Sequence, residues 1–317
     1  MASIDKWLDA VVFHLARLAP QDTYLSFETN IRGLLAVILV CLICGAVGSM
    51  VVGNRMAFFS DALAHCAFAG VGLGLISGLL MQLGKDSGYY TWGVPAIMVV
   101  FGVVIGLGIA WVRENTSLAS DTVIGVFFAF SVGFGAMIFK AISARAYLSP
   151  ENFLFGDPTW VTSADLVVLI ALLAVTMVVL AWIYNGLVFS SFNLSLARSR
   201  KIAHRLYNYA FIILLAMIVN LCLKTVGALL IHGLLIVPAA AAANISRNMR
   251  QMFLFSVAIS VFVGVGGAWA AMEIGIRDPA TGQTIHFGWS GTIVVVAVAL
   301  FFATMLLRRL RGETVAA

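Results

Sequence analysis

Apolar stretches about as long as a bilayer is thick follow one another along almost the whole chain. A membrane-spanning helix needs about 20 predominantly apolar residues. With 62% hydrophobic and 10% charged residues among 317, the composition excludes a water-soluble domain of this size. We therefore predict an all-α, polytopic membrane protein. Its candidate spans lie at about 31–52, 62–83, 93–112, 121–140, 164–188, 208–224, 226–243, 252–274 and 291–307.

The number of spans depends on residues 208–243, a single apolar run interrupted by Lys224 and Gly227. Two helices joined by a tight turn give nine spans, whereas one re-entrant unit would give eight. We favour the two helices. Residues 31–307 are then one transmembrane domain, and residues 308–317 are a basic cytoplasmic tail.

The N-terminal segment, residues 1–30, has a different pattern. Over residues 3–18 apolar side chains occupy one helical face and charged side chains the other. This pattern predicts an amphipathic helix lying on the membrane surface. A loosely ordered tail is the alternative.

The basic residues set the orientation, because cytoplasmic loops carry an excess of Lys and Arg. With nine spans, the N-terminus is outside and every basic cluster is inside. The net charge of +5 is explained by this asymmetry, so it does not indicate a nucleic-acid partner. The clusters are Arg198, Arg200, Lys201 and Arg205, then Arg247 and Arg250, then Arg308, Arg309 and Arg311.

Catalytic motifs are absent from the sequence. It contains no G-x-x-x-x-G-K-[ST], H-E-x-x-H or G-x-S-x-G, so ATP binding by a P-loop and hydrolytic chemistry lack their residues. The four cysteines all lie in apolar segments, which argues against a disulfide framework. We therefore expect no enzyme, and any energy source must be a partner or an ion gradient.

Asp61 and His65 are the strongest candidates for a functional site. They lie four residues apart at the start of an apolar segment, so they share one helical face. Ionisable residues inside a membrane span are costly and usually functional. Carboxylate oxygen and imidazole nitrogen suit a divalent transition metal. A helix-start carboxylate next to a hydrogen-bonded histidine is the structural alternative.

Three further histidines or acids are weaker candidates. His232 either completes a site with the first pair, holds the ion nearer the outer face, or donates to a carbonyl freed by Pro238. Asp278 and His286 share an outer loop, for which solvation is the simpler interpretation.

Five segments in order carry a recognisable pattern. They resemble the permease subunits of ATP-binding-cassette importers for zinc, manganese and iron(II). The similarity runs from about residue 31 to residue 307. The segments are SDALAHCAFAGVGLGLISG (60–78), DTVIGVFFAFSVGFGAM (121–137), ENFLFGD (151–157), KTVGALLIHGLLIVPAAAAANISRNMRQM (224–252) and SGTIVVVAVALFF (290–302).

This resemblance implies the architecture of a metal-importer ABC permease in the cytoplasmic membrane of a bacterium. Two permeases, either two copies or a copy and a paralogue, surround one pathway. A pair of cytoplasmic ATPases binds below, and an extracytoplasmic metal-binding protein delivers the ion above. The transported Zn²⁺, Mn²⁺ or Fe²⁺ is coordinated in transit by Asp61 and His65. His232 stands where the family has an aliphatic or small residue, so it inherits no role.

The resemblance also assigns residues 190–209 to a cytoplasmic loop that couples to the ATPase. The family often has Asp-Pro-Glu where this chain has Asn193, Leu194 and Ser195, and Gly in place of Lys201. Coupling therefore uses altered contacts, or the partner is divergent. The candidate coupling residues are Asn193, Ser195, Ala197, Arg198, Arg200 and Lys201.

Two functions remain open from the residues alone. The first is an importer permease driven by a partner ATPase. The second is a proton-coupled secondary transporter of a metal or small solute, in which Asp61 and His65 relay protons. The ligand types do not choose between manganese, iron and zinc.

Overall fold

The computed structural model describes residues 2–18, 26–83, 88–142, 156, 158, 161–192, 200, 203–277 and 284–310. In this part of the chain nine helices are long and apolar enough to cross a membrane, which confirms the predicted all-α, polytopic fold. The helices are α1 (Ala2–Leu18), α2 (Glu28–Gly53), α3 (Ala57–Leu80), α4 (Val94–Asn115), α5 (Ser120–Ile142), α6 (Ser163–Phe192), α7 (His204–Val226), α8 (Ala228–Ile245), α9 (Met249–Glu273) and α10 (Trp289–Leu310).

The apolar run of residues 208–243 is two helices. Helix α7 ends at Val226 and α8 begins at Ala228, and Gly227 between them has φ +82°. Glycine adopts this left-handed conformation without the steric cost that a side chain would add. The predicted tight turn is therefore confirmed, and helix α8 continues through Pro238.

The chain divides into two compact units. The first unit comprises residues 1–52, 154–174 and 225–317, and the second comprises residues 53–153 and 175–224. Helix α6 contributes its N-terminal part to the first unit and the rest to the second.

In the first unit, α8, α9 and α10 pack against one another and α2 packs on α8 and α9. Small residues allow this close approach, as is usual between helices in lipid. Gly45 of α2 lies against Val257 of α9, and the Ser256 hydroxyl donates to the Gly45 carbonyl over 2.8 Å. Gly48 of α2 lies against the backbone of Leu235 in α8.

Helix α1 confirms the helix predicted for residues 3–18, and it packs on the first unit. Its apolar face buries Leu8 and Val12. On its polar side, the Asp9 carboxylate accepts a hydrogen bond from Arg32 Nη2 over 3.0 Å and a second from the Ser163 hydroxyl. Asp9 thus links α1 to the first turns of α2 and α6.

In the second unit, α3 packs against both α4 and α5. One glycine face of α3 meets α4, where a β-carbon on Gly70 would lie 2.8 Å from Met98 Cα. Another meets α5, where Gly72 lies against Ile138. A π-helical turn at Tyr89–Gly93 precedes α4. The glycine spacing of α3 therefore serves two different neighbours.

The stretch before the last span contains a short β-hairpin that the sequence did not predict. Strand β1 (Gly275–Arg277) pairs antiparallel with β2 (Thr284–His286), with Ile276 opposite Ile285. Three-residue strands are too short to produce a recognisable alternation. The predicted outer loop with Asp278 and His286 therefore includes strand β2, and residues 278–283 lie outside the described residues.

A candidate metal site at the start of helix α3

The turn between α2 and α3 brings the candidate pair close to a helix N-terminus. Arg55 adopts φ +55° and Met56 precedes the first helical residue, Ala57. Asp61 and His65 then fall in the second and third turns of α3. The partial positive charge at the N-terminal end of a helix falls off within the first turn, so Asp61 gains little from it.

The two side chains contact each other as the four-residue spacing predicts. His65 Nδ1 lies 3.0 Å from the backbone oxygen of Asp61 and 3.4 Å from its carboxylate Oδ1. The His65 side chain is 30% exposed and that of Asp61 38% exposed, so both remain accessible. The pair is therefore neither sealed in the helix bundle nor fully solvated.

The His65 ring is also fixed from α5. Its edge lies against Phe128, with ring centroids 4.7 Å apart and planes at 63°. Because Nδ1 lies beside two acceptor oxygens, the neutral ring carries its proton there and keeps the lone pair on Nε2. A histidine that binds a metal typically donates its other N–H to a carbonyl or carboxylate in this way. The sequence offered no signal for Phe128, because the contact depends on how α5 packs on α3.

Within the described part of the chain, the pair does not belong to a larger ligand cluster. Among the residues that the structure describes, no group of three or more His, Cys, Asp or Glu lies close enough to hold a metal ion. An ion bound by Asp61 and His65 would therefore retain coordination positions for other ligands, unlike one in a closed structural site.

The neighbouring cysteine points away from the pair. Cys66 is fully buried, and its Sγ lies 2.9 Å from the Ser131 hydroxyl on α5. This agrees with the rotation of about 100° between successive residues of a helix. All four cysteines are buried thiols outside any disulfide, in apolar helices where they pack as small apolar side chains.

The remaining candidates are placed as follows. His232 is half-buried in α8 of the first unit. His286 lies in strand β2, and Arg200 is exposed in a turn. Asp278 and the other coupling candidates, Asn193, Ser195, Ala197, Arg198 and Lys201, lie outside the described residues.

The described part of the chain combines nine apolar helices of spanning length with an accessible acid–histidine pair on one of them, which are the features of a multi-pass membrane transport protein. Residues 26–308 match the family model described as the ABC 3 transport family, and the chain belongs to that family. It is thus a transport permease of the bacterial plasma membrane.

Individual relatives are similar in sequence to this chain over nearly their full length. The chain is 26% identical over 295 residues to the manganese transport system membrane protein MntC of Halalkalibacterium halodurans, covering 92% of this chain and 94% of the relative. It is 28% identical over 270 residues to the high-affinity zinc uptake system membrane protein ZnuB of Buchnera aphidicola subsp. Baizongia pistaciae, covering 85% and 97%.

The fold has a solved counterpart. The structure of PsaBC from Streptococcus pneumoniae in complex with Fab superposes with a TM-score of 0.71 at 21% identity, covering 90% of this chain and 96% of the other. At this identity the similarity supports the shared fold, including the order of the helices.

Proposed function

We propose that this chain is the permease subunit of an ATP-binding-cassette importer that moves a divalent transition metal into the cell. The names of its relatives mention manganese and zinc. The observation that carries the proposal is the arrangement of His65, whose Nδ1 faces two oxygens of Asp61, so that Nε2 carries the lone pair that can bind an ion.

In the mechanism, the His65 imidazole and the Asp61 carboxylate coordinate the ion briefly during transport. Imidazole and carboxylate are ligands for Zn²⁺, Mn²⁺ and Fe²⁺, and the remaining coordination positions stay available for water or other ligands. The Asp61 backbone oxygen and Phe128 hold the imidazole in one orientation. The chain forms no covalent bond with its substrate.

The energy comes from a separate cytoplasmic ATPase dimer. A second permease, identical or paralogous, completes the pathway, and an extracytoplasmic metal-binding protein delivers the ion. The cytoplasmic loop with Arg198 and Arg200 contacts the ATPase. ATP binding draws the two permeases' loops together, and the pathway then opens to the opposite side.

The test is metal uptake into vesicles that contain this chain with its co-encoded ATPase and binding protein. We expect ATP-dependent uptake, which competition among zinc, manganese and iron(II) assigns to one metal. His65→Ala and Asp61→Ala should abolish uptake while the protein stays in the membrane. Normal uptake by both variants would contradict the site, and uptake that follows a pH gradient without ATP would contradict the importer.

A further inference from the structure

Glu114 and Arg205 are charged residues at unfavourable ends of their own helices. Glu114 is the penultimate residue of α4, where the helix dipole disfavours an acid. Arg205 is in the first turn of α7, where the dipole disfavours a cation. Both lie in the second unit, and each charge faces the end of the other helix that favours it.

The contact between them includes a tyrosine. The Tyr209 hydroxyl donates to Glu114 Oε2 over 3.1 Å, and Arg205 Nε lies 3.7 Å from the same oxygen. The Glu114 side chain is only 21% exposed, whereas Arg205 is 78% exposed. Tyr209 therefore supplies the better-shielded bond, and Arg205 supplies charge from the solvent side.

The second carboxylate oxygen has no hydrogen-bond partner in the described part of the chain. Glu114 Oε1 is buried and has no hydrogen bond among the described residues. A buried acceptor without a donor is unfavourable and needs a reason. A contact that must change during a transport cycle gives such a reason, because its atoms cannot be optimally paired in every conformation.

The same two helices meet at two further points. Gly106 of α4 lies against Ile212 of α7, and Gly102 lies against Asn220. Together with Glu114 and Tyr209, these contacts follow one antiparallel interface. Glycine at two of its three points brings the helices close, so a shift of α7 is passed to α4 rather than absorbed by flexible side chains.

Helix α4 in turn touches the part of α3 that carries the candidate metal site. A β-carbon on Gly106 would lie 3.3 Å from Leu63 and 3.8 Å from Phe59. These two residues flank Asp61 by two positions on either side. The contacts from Tyr209 therefore reach the segment of α3 that carries Asp61 through α4 alone, and all of these residues lie in the second unit.

We propose that Glu114, held by Tyr209 and Arg205, is a positioning residue that couples movement at the cytoplasmic end of α7 to the Asp61–His65 pair. The inference rests on the proposed function, because α7 begins at His204, within the residues 190–209 that the resemblance assigns to ATPase contact. Glu114 contacts neither the ion nor ATP. Its loss leaves both ATP hydrolysis and metal uptake present, but the two are no longer coupled to each other.

The experiment measures metal uptake and ATP hydrolysis together in liposomes that contain the full complex. In Glu114→Gln and Tyr209→Phe we expect ATP hydrolysis to continue while metal transported per ATP falls about fivefold or more, the lower end of typical coupling between linked sites. The double variant should lose less than the product of the two single losses, because Glu114→Gln removes the Arg205 ion pair and Tyr209→Phe removes the hydroxyl bond at the same carboxylate oxygen.

Two matched controls separate this role from general damage. Tyr207→Phe removes a hydroxyl from the same helix at a residue whose ring lies against Trp182, and Glu273→Gln alters an exposed acid at the end of α9. Both should keep the wild-type ratio. If Glu114→Gln fails to fold, Tyr209→Phe alone tests the coupling role, because this variant keeps the aromatic ring and should fold.

An unchanged ratio in Tyr209→Phe, or fully multiplicative losses in the double variant, would overturn the inference. These outcomes leave wild-type uptake intact. A failure of the proposed function would instead appear as absent ATP-dependent uptake in the wild-type complex.

Discussion

The buried side chain of Asn220 occupies the space that a β-carbon on Gly102 would need. Asn220 is 0% exposed, and its Nδ2 donates to the Ala216 carbonyl over 2.7 Å, which holds the amide against α4. The buried Asn220 amide thus fits between the helices only because residue 102 of the neighbouring helix has no side chain.

Gly102→Ala should therefore destabilise the protein even though alanine favours helix. Forcing an extra carbon into a filled space costs about 1–3 kcal/mol, which outweighs the gain in helix propensity of about 1 kcal/mol or less. The measurement is thermal unfolding in detergent. Gly133→Ala on α5 is the matched control, because no atom lies within 4 Å of the place that its new β-carbon would take. Equal melting temperatures of the two variants would show that the Asn220 side chain moves aside without a loss of stability.

Phe128→Leu should weaken metal binding without removing a ligand. The ring of Phe128 restricts the His65 imidazole, and removing a partner that orients a metal ligand typically costs about 10-fold in affinity. The readout is the metal concentration that gives half-maximal uptake. Phe130→Leu, at a 53% exposed position on the same helix, should leave that concentration unchanged. A similar effect of both changes would argue against the orienting role.

Charge reversal in the cytoplasmic loop should weaken the interaction with the ATPase. Arg198→Glu together with Arg200→Glu replaces two cations of the predicted contact surface. We expect less ATPase retained on the purified permease and weaker stimulation of hydrolysis, more so at low salt because screening is weaker there. Stimulation equal to that of the wild type would remove this loop from the contact surface.

Asp9→Ala should release α1 from the first unit. The change removes both the ion pair with Arg32 and the bond from Ser163, whereas Glu28→Gln removes only the 3.3 Å pair within α2. Because Asp9 is 49% exposed, the loss in global stability is small, about 1 kcal/mol or less. Limited proteolysis at the N-terminus should accelerate in Asp9→Ala and stay slow in Glu28→Gln. Equal cleavage rates would mean that Leu8 and Val12 alone hold the helix.

Sequence periodicity was sufficient for the helices and for the pairing of Asp61 with His65. Both depend on local rules: apolar segments of bilayer length become helices, and residues four apart on a helix meet. The break at Gly227 was predictable for the same reason, because glycine interrupts an otherwise continuous apolar run.

The contacts between helices were not predictable in the same way. Phe128 orients His65, and Tyr209 holds Glu114, across 63 and 95 residues of sequence. Such pairs depend on which faces of two helices pack together. The glycines of α3 indicate that another helix packs closely against it, but they do not indicate which one. The β1–β2 hairpin escaped prediction because three residues carry too little pattern.

The link between Asp9 and Ser163 also has a consequence for how the chain is made. The two residues are 154 positions apart, so at about 5–20 residues per second Asp9 leaves the ribosome roughly 8–30 s before Ser163. During that interval Arg32 is present and Ser163 is not, so Asp9 can make the first of these two contacts but not the second. The polar attachment of the N-terminal helix is therefore completed only when half the protein has been synthesised.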